Sequence, residues 1–428
     1  MPLIDRRLSL FFALLFSTLV FAQSDQKDGR YYESLARKAY EEKNYSSFLE
    51  NMKLASELRS NHPRLMYNLA VAYALNHKPT DAVALLRRTA EMGLIFPAAS
   101  DHDFDSLRSL SEFDAVLKQF EKNKIPKISS VLSFTVQEKG LIPESVAYDE
   151  DTGRFYLSSV YKRKILTVTK TGDSKVFASE ADGLWSVLGM KVDSHRRLLW
   201  VCSTAHPQMA NFLAEDKGKT ALLKYDLKTG KLLAKYQPSD TTKPHWLGDL
   251  VINFAGDVFA TDSITAAVYV ARHDSNQLET FIEGQPFVSP QGLDFTPDQQ
   301  QLFVADYSQG VFLVDLKTKK VNNIASDFTS LGIDGLYYYK GSLIGIQNGV
   351  NPQRVIRLSL SKDLGHFDRF ETIEANNPVF DEPTLGVLVK NDFYFIANSQ
   401  MWHIVGQGGK IRDEGSLKDT YIMKIKLN

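Results

Sequence analysis

Cysteine is all but missing from this chain: Cys202 stands alone in 428 residues. An internal disulfide is therefore excluded, and a protein of this length must be held by its own core. Zinc has as little to hold it. Nine histidines are scattered, with no His-x-x-x-His pair and no Cys cluster. No Gly-x-Ser-x-Gly elbow is present, which argues against a serine nucleophile. Neither sign of charge dominates, with 50 basic against 51 acidic side chains and a formal net charge of −1. That balance gives no electrostatic case for nucleic acid or an anionic membrane as the main partner. After residue 22 no segment is apolar enough to span a bilayer. Cys202 itself ends the run Leu198-Leu199-Trp200-Val201-Cys202 and reads as a small buried hydrophobe.

The chain has three compositional parts. Residues 1–22 carry Arg6 and Arg7, an apolar stretch from Leu8 to Phe21, and Ala22 at the end. That arrangement is a secretory signal peptide by its pattern, and it places the mature protein outside the cytoplasm, with a bacterial periplasm as the natural setting. An uncleaved anchor is the rival reading, weakened by a run short of the ~20 residues a span needs.

From residue 30 to 124 the apolar spacing is helical. Leu35-Ala36 aligns with Leu69-Ala70, Ala39 with Tyr73, Phe48 with Ala82 and Met52 with Leu86 at a constant offset, and Pro63 and Pro79 stand where helices begin. Small residues at such an offset resemble the tetratricopeptide repeat of paired helices. A third, degenerate unit follows, with Leu107, Leu110, Phe113, Val116, Leu117 and Phe120 on one stripe. Either the helices pack as a spacer or lid, or they offer a groove to a protein partner.

Residues 128–428 repeat one phrase six times, a loop end, an apolar run, a turn and a second β-rich run, at a period of about 40 to 50 residues. This is the pattern of a six-bladed β-propeller, so the fold class expected is mainly β behind a short α-helical solenoid. Ring closure predicts that the strand-like 128–136 joins the C-terminal run 420–427 in one sheet. Longer insertions fall at 205–219 and 360–377, and Ala205–Phe212 is the candidate lid.

Aligned in register, the six phrases place Glu144, Leu188, Gly248, Gln291, Asp334 and Thr384 at the start of successive innermost strands, beside Asp249, Asp381 and Glu382. Several carboxylates around one narrow channel need neutralising. A hard divalent cation, Ca²⁺ among them, held by carboxylate and amide oxygens, is the expected partner. Structural carboxylates lining a wet channel are the alternative. His206 and His245 lie on loops that would face the channel and are candidate substrate-contacting side chains, as are Asp249, Glu382 and Thr384. For Asp381 and Glu382, gripping the ligand and capping a loop remain equal readings.

Pro143-Glu144, Gly248-Asp249 with Ala260-Thr261-Asp262-Ser263, Pro290-Gln291-Gly292-Leu293-Asp294 with Val304-Ala305-Asp306, and Asp334-Gly335 resemble the gluconolactonase and regucalcin family, and more distantly paraoxonase. The resemblance covers about residues 141–428. It implies a six-bladed propeller with a central divalent metal that hydrolyses lactones or related esters. It places Glu144 on a metal-binding glutamate and Asp334 on a metal-binding aspartate that also moves protons. Gln291 falls where the family has a metal-binding asparagine, and Gly248 where it has a second asparagine near the metal. The paraoxonase likeness suggests His206 or His245 as a general base. The function this implies is a metal-dependent lactonase-like hydrolase of a small, sugar-derived substrate. The rival is a non-catalytic protein that binds a partner or ligand in the cell envelope.

Overall fold

The structure is a computed structural model describing residues 28–406 and 409–428, so the leader-like residues 1–22 lie outside the described part. The chain divides into two compact units. The first holds the helices up to Pro126 with the short segments Ser326–Ser330 and Val350–Pro352; the second holds the remainder.

In the first unit four helices span Gly29–Glu41, Tyr45–Leu58, Pro63–Leu75 and Pro79–Glu91. Gly29 to Pro63 and Tyr45 to Pro79 are each 34 residues apart, so a pair of helices recurs. Side chains set the starts: Asp28 accepts from the Arg30 and Tyr31 amides, Asn44 accepts from the Ser47 amide, and prolines occupy the first turns of the second pair. Ala36, Ala39, Met52, Ala70, Ala82 and Leu86 are buried where helices touch, while Leu35 is exposed. A helix at Ser111–Asn123 buries Phe113, Val116 and Phe120 against this core.

The second unit is a six-bladed β-propeller, each blade a four-stranded antiparallel sheet. The inner strands, in ring order, are Val146–Asp149, Ser186–Asp193, Leu247–Ile252, Pro290–Phe295, Ile333–Tyr339 and Gly386–Val389; they define blades 1 to 6. Blade 6 closes the ring as the sequence predicts. Its outer strand Ser130–Val136 pairs with the C-terminal strand Thr420–Lys426, Ser130 opposite Ile425 and Val136 opposite Thr420. Glu374 ties that strand down, its buried carboxylate accepting from the amides of Ser129 and Ser130, the Ser130 hydroxyl and Asn377 Nδ2.

Hydrogen bonds lace each blade to the next around the channel. Met190 N–H donates to Ser145 Oγ (3.1 Å), Thr204 Oγ1 to the Leu247 carbonyl (3.1 Å) and Thr261 Oγ1 to the Gln291 carbonyl (2.8 Å). Tyr338 N–H donates to Asp294 (2.7 Å), Gly386 N–H to the Tyr337 hydroxyl (2.6 Å), and Leu385 N–H to the Glu144 carbonyl (3.0 Å). Six junctions are thus pinned at the lumen, which fixes where the inner-strand side chains point.

Candidate functional site in the propeller channel

Four of the six register positions lie within their inner strands and sit in a β-bulge, while Glu144 and Thr384 stand two residues before theirs. Pairing of inner and second strands slips between Val187 and Met190, Leu247 and Leu250, Pro290 and Leu293, and Ile333 and Gly335. Leu188, Gly248, Gln291 and Asp334 are therefore the re-aimed residues, an ordinary use of a bulge beside a site. The glycine that follows three of the register positions has a steric cause. A Cβ on Gly189 would come within 2.6 Å of the Gly248 carbonyl, and one on Gly292 within 2.5 Å of the Asp334 carbonyl. Inner strands here meet backbone to backbone.

In blades 1 and 6, which lack the bulge, and in blade 5 beside it, a left-handed residue turns the chain. Ile142 (φ +48°), Gly332 (φ +70°) and Glu382 (φ +67°) each stand two residues before the register position of blades 1, 5 and 6. For isoleucine and glutamate this conformation costs about 1–3 kcal/mol, strain of the kind found at functional sites.

The structure brings Glu144, Asp249, Asp334 and Glu382 together. Glu144, Asp334 and Glu382 are partly accessible although protein encloses them, as expected for side chains lining a lumen. Burial, then the fields of Asp334, Glu382 and Asp249, holds the Glu144 carboxyl well above the usual carboxylate range. Burial raises Asp334 too, with Asp249 adding to it and a hydrogen bond from Asn348 opposing it. Burial and the neighbouring Asp334 and Asp381 push Glu382 up to about 8. These groups do not share a low-dielectric lumen as bare anions without a compensating charge.

Asn348, which with Gly349 makes a turn-like Asn-Gly pair in the sequence, organises the site. Its Nδ2 donates to Asp334 Oδ2 (2.8 Å) and to the Pro383 carbonyl (3.0 Å), and its Oδ1 accepts from the Tyr307 hydroxyl (3.0 Å). The signal for it was positional: it follows the second strand of blade 5, whose end pairs with the start of the strand carrying Asp334. Lys191, Asp294 and Tyr337, three residues beyond Leu188, Gln291 and Asp334, were also missed.

Gln291 and Gly248 compensate for one another. Gln291 Oε1 lies 3.5 Å from where a Cβ on Gly248 would stand, so the longer amide reaches into the space left by the absent side chain. Its Nε2 donates to Ser289 Oγ (3.3 Å).

The residues fit a hard cation by donor type. Glu144 Oε2 and Asp249 Oδ2 are buried with no hydrogen-bond partner, and Asp334 and Gln291 add a carboxylate and an amide. Among the described residues no three His, Cys, Asp or Glu side chains gather into a ligand set. Amide, carbonyl and water oxygens must therefore complete any shell. Thr384, at the start of blade 6, also has a buried hydroxyl without a partner.

The remaining candidates are engaged otherwise. His206 packs edge-on against Trp246 and its Nδ1 accepts from Gln208 N–H (3.0 Å); burial drives it down to about 3, so the ring is neutral. His245 Nδ1 meets Asp262 Oδ2 at 2.8 Å and Nε2 meets the Asp240 carbonyl at 2.7 Å. Both partners accept, so both nitrogens donate. Burial works against that charge, but the bond to Asp262 and the Asp240 carbonyl prevail and raise its pKa. Asp381 accepts from Trp402 Nε1, and the Glu382 carboxylate accepts from Met401 N–H (3.0 Å). The segment 205–212 buries Met209 and is stitched down, Ala210 N–H donating to the Tyr161 carbonyl and Gln208 Nε2 to the Ile404 carbonyl. Asp262 and Asp306, part of the quoted family-like motifs, cap loops: Asp306 accepts from Val288, Ser289 and Ser308, and Asp262 from Trp246, Ile264 and Thr265.

No family model and no curated protein matches the chain. Solved structures similar to it include three enzymes. A gluconolactonase from Xanthomonas campestris shares 14% identity at a TM-score of 0.46, over 68% of this chain and 88% of its own. A PQQ-bound aldose sugar dehydrogenase from Streptomyces coelicolor shares 13% at 0.47, over 71% and 99%. A virginiamycin B lyase from Staphylococcus aureus shares 12% at 0.47, over 71% and 100%. These likenesses concern fold, and fold alone does not assign a reaction.

Proposed function

We propose that the propeller is a cation-dependent hydrolase of small lactones or esters. The observation that carries this reading is that Glu144, Asp334 and Glu382 lie within one another's electrostatic reach, with Glu144 Oε2 buried and unpaired. Glu144, Asp334 and Gln291 would hold the ion. A bound divalent cation supplies positive charge beside the substrate carbonyl oxygen. Asp334 takes the proton of a water whose oxygen attacks the carbonyl carbon. The ring C–O bond then breaks and its oxygen takes up a proton, leaving a hydroxy acid. Asn348 orients the base through Oδ2 and leaves Oδ1 for the water. Glu382 and Thr384, in blade 6 between the blades of Asp334 and Glu144, would face the substrate's hydroxyls, with Leu188 in the blade opposite Asp334.

The test is calorimetric titration of the metal-stripped protein with Ca²⁺, Mg²⁺, Mn²⁺ and Zn²⁺, followed by a lactone screen. Glu144→Gln should weaken cation binding, and Asp334→Asn should abolish turnover with the melting curve intact. Turnover that survives both changes defeats the mechanism. The second reading, a non-catalytic envelope protein, rests on the helix pairs recurring every 34 residues, which a tetratricopeptide-like groove for a protein partner would explain. Absence of cation binding would favour it. In both readings the chain works in the periplasm, on the strength of residues 1–22 alone.

A further inference from the structure

Lys191 takes no part in the reaction above, yet its side chain crosses the channel. It belongs to the inner strand of blade 2, Ser186–Asp193, and its Nζ lies 4.8 Å from the ring centroid of Tyr337. Tyr337 is in blade 5, diametrically opposite in the ring. The ring is itself fixed, because the Tyr337 hydroxyl accepts from Gly386 N–H at 2.6 Å. Lys191 lies three residues beyond Leu188 on this strand, deeper in the blade than the register position.

Two carboxylates belong to this part of the lumen. Asp249 is buried, with Oδ1 on the Leu250 amide and Oδ2 without a partner. Asp294 accepts from Tyr338 and Phe295 amides, at 2.7 and 2.8 Å. The charge on Lys191 acts on both, drawing each carboxyl down against the burial that raises it. Closer to the loops, Glu144, Asp334 and Glu382 have no such resident cation among the groups acting on them. Asp249, whose field also reaches Glu144 and Asp334, is therefore shared by the upper acidic group and the lower pair it makes with Asp294, and Lys191 supplies positive charge to that lower pair.

We propose that Lys191 is the built-in cation of the deeper channel, its ammonium on the Tyr337 ring supplying to Asp249 and Asp294 the positive charge that an ion from solution would otherwise bring. Resting on the cation reading of the upper level, this limits the wild-type channel to one divalent ion. Lys191 is a positioning residue: it sets the charge beneath the site and touches no reacting atom. The methylene stem bridges the lumen, and the ammonium lies against an aromatic face as such cations prefer.

The experiment is calorimetric titration of metal-stripped wild type, Lys191→Met, Lys191→Arg and the double variant Lys191→Met/Asp294→Asn with Mn²⁺ and with Ca²⁺. Wild type and Lys191→Arg should bind one ion. Lys191→Met should bind a second, weaker ion that the added Asp294→Asn removes. A merely structural lysine would alter melting and leave stoichiometry unchanged, so a folded Lys191→Met that binds the same number of ions as wild type overturns the proposal. Should Lys191→Met not fold, Lys191→Gln, which keeps a polar head, is read by the same criterion. Wild type that binds no ion beside a Lys191→Met that binds one would sink the upper-site reading and leave this one standing.

Discussion

Gly292→Ala puts one methyl group between blades 4 and 5 and touches no channel side chain. The added Cβ would stand 2.5 Å from the Asp334 carbonyl oxygen and 2.5 Å from the Leu336 nitrogen, where ordinary contact begins near 3.4 Å. Both obstacles are backbone, so the inner strands must part by about 0.9 Å, and overpacking of this kind costs about 1–3 kcal/mol. At ~2 °C per kcal/mol for a unit of this size, the melting temperature should fall by about 2–6 °C. Asp334 rides on the strand that is pushed. A shift near 1 Å in a reacting group costs about 10²-fold in rate, so turnover and cation affinity should fall well beyond what the lost stability explains. Gly341→Ala is the control. Gly341 has φ +78° with open space around its Cβ, so it should lose about 1–2 kcal/mol to backbone strain and leave cation affinity untouched. Differential scanning calorimetry with ion titration on both variants decides the matter. Gly292→Ala with wild-type melting and affinity would refute the backbone-to-backbone packing; equal loss of affinity in Gly341→Ala would refute its link to the site.

Further tests follow from separate contacts. The raised pKa of His245 makes its ion pair with Asp262 a stabilising contribution that is complete below the unfolded value near 6.5 and lost as pH rises through the higher folded value. The melting advantage of wild type over His245→Gln should accordingly shrink as pH climbs above about 6.5. Glu374→Gln can keep its oxygen on the Ser129 and Ser130 amides but turns an N–H₂ toward Asn377 Nδ2, which only donates, and should cost about 1–3 kcal/mol in chemical denaturation by loosening ring closure. Gly248→Asn and Gln291→Asn should each weaken cation binding alone, and the pair should recover part of the loss. A double-mutant coupling of about 0.5–3 kcal/mol is expected, and strict additivity would show that the two positions do not share space.

The propeller was legible because its signals are local and repeated. Alternating apolar runs and Asp- or Gly-bearing turns recur often enough that blade count and the pairing of 128–136 with 420–427 follow from ring closure alone. Channel positions were legible for the same reason, since registration finds Glu144 and Asp334 without any knowledge of their partners. What stayed hidden needs three dimensions. Asn348 looks like a turn because its Gly349 neighbour fits one, and its bond to Asp334 arises only when the second strand folds back on the first. Lys191 sits in an apolar strand, where a lone charge was the available signal, and its partner Tyr337 comes from the opposite blade. His245 was placed toward the channel from its loop alone; the structure gives it Asp262 and the Asp240 carbonyl instead.

The repeated bulge explains how such a site can change its chemistry without losing its fold. Ladder hydrogen bonds resume at Met190, Leu250, Leu293 and Gly335, so the strand's register is secured by residues that face the core. Leu188, Gly248, Gln291 and Asp334 lie in the slipped segment and carry none of that pairing. Gly248, Gln291 and Asp334 are thus free to vary at little cost in stability, whereas Leu188 packs in the hydrophobic core and the glycines beside them are bound by close backbone approach. A leucine, a glycine, a glutamine and an aspartate at equivalent positions are what this division of labour permits. It also dictates how change must proceed: an altered side chain is compensated from another blade, as Gln291 is by Gly248 and the deeper carboxylates are by Lys191, rather than along its own strand.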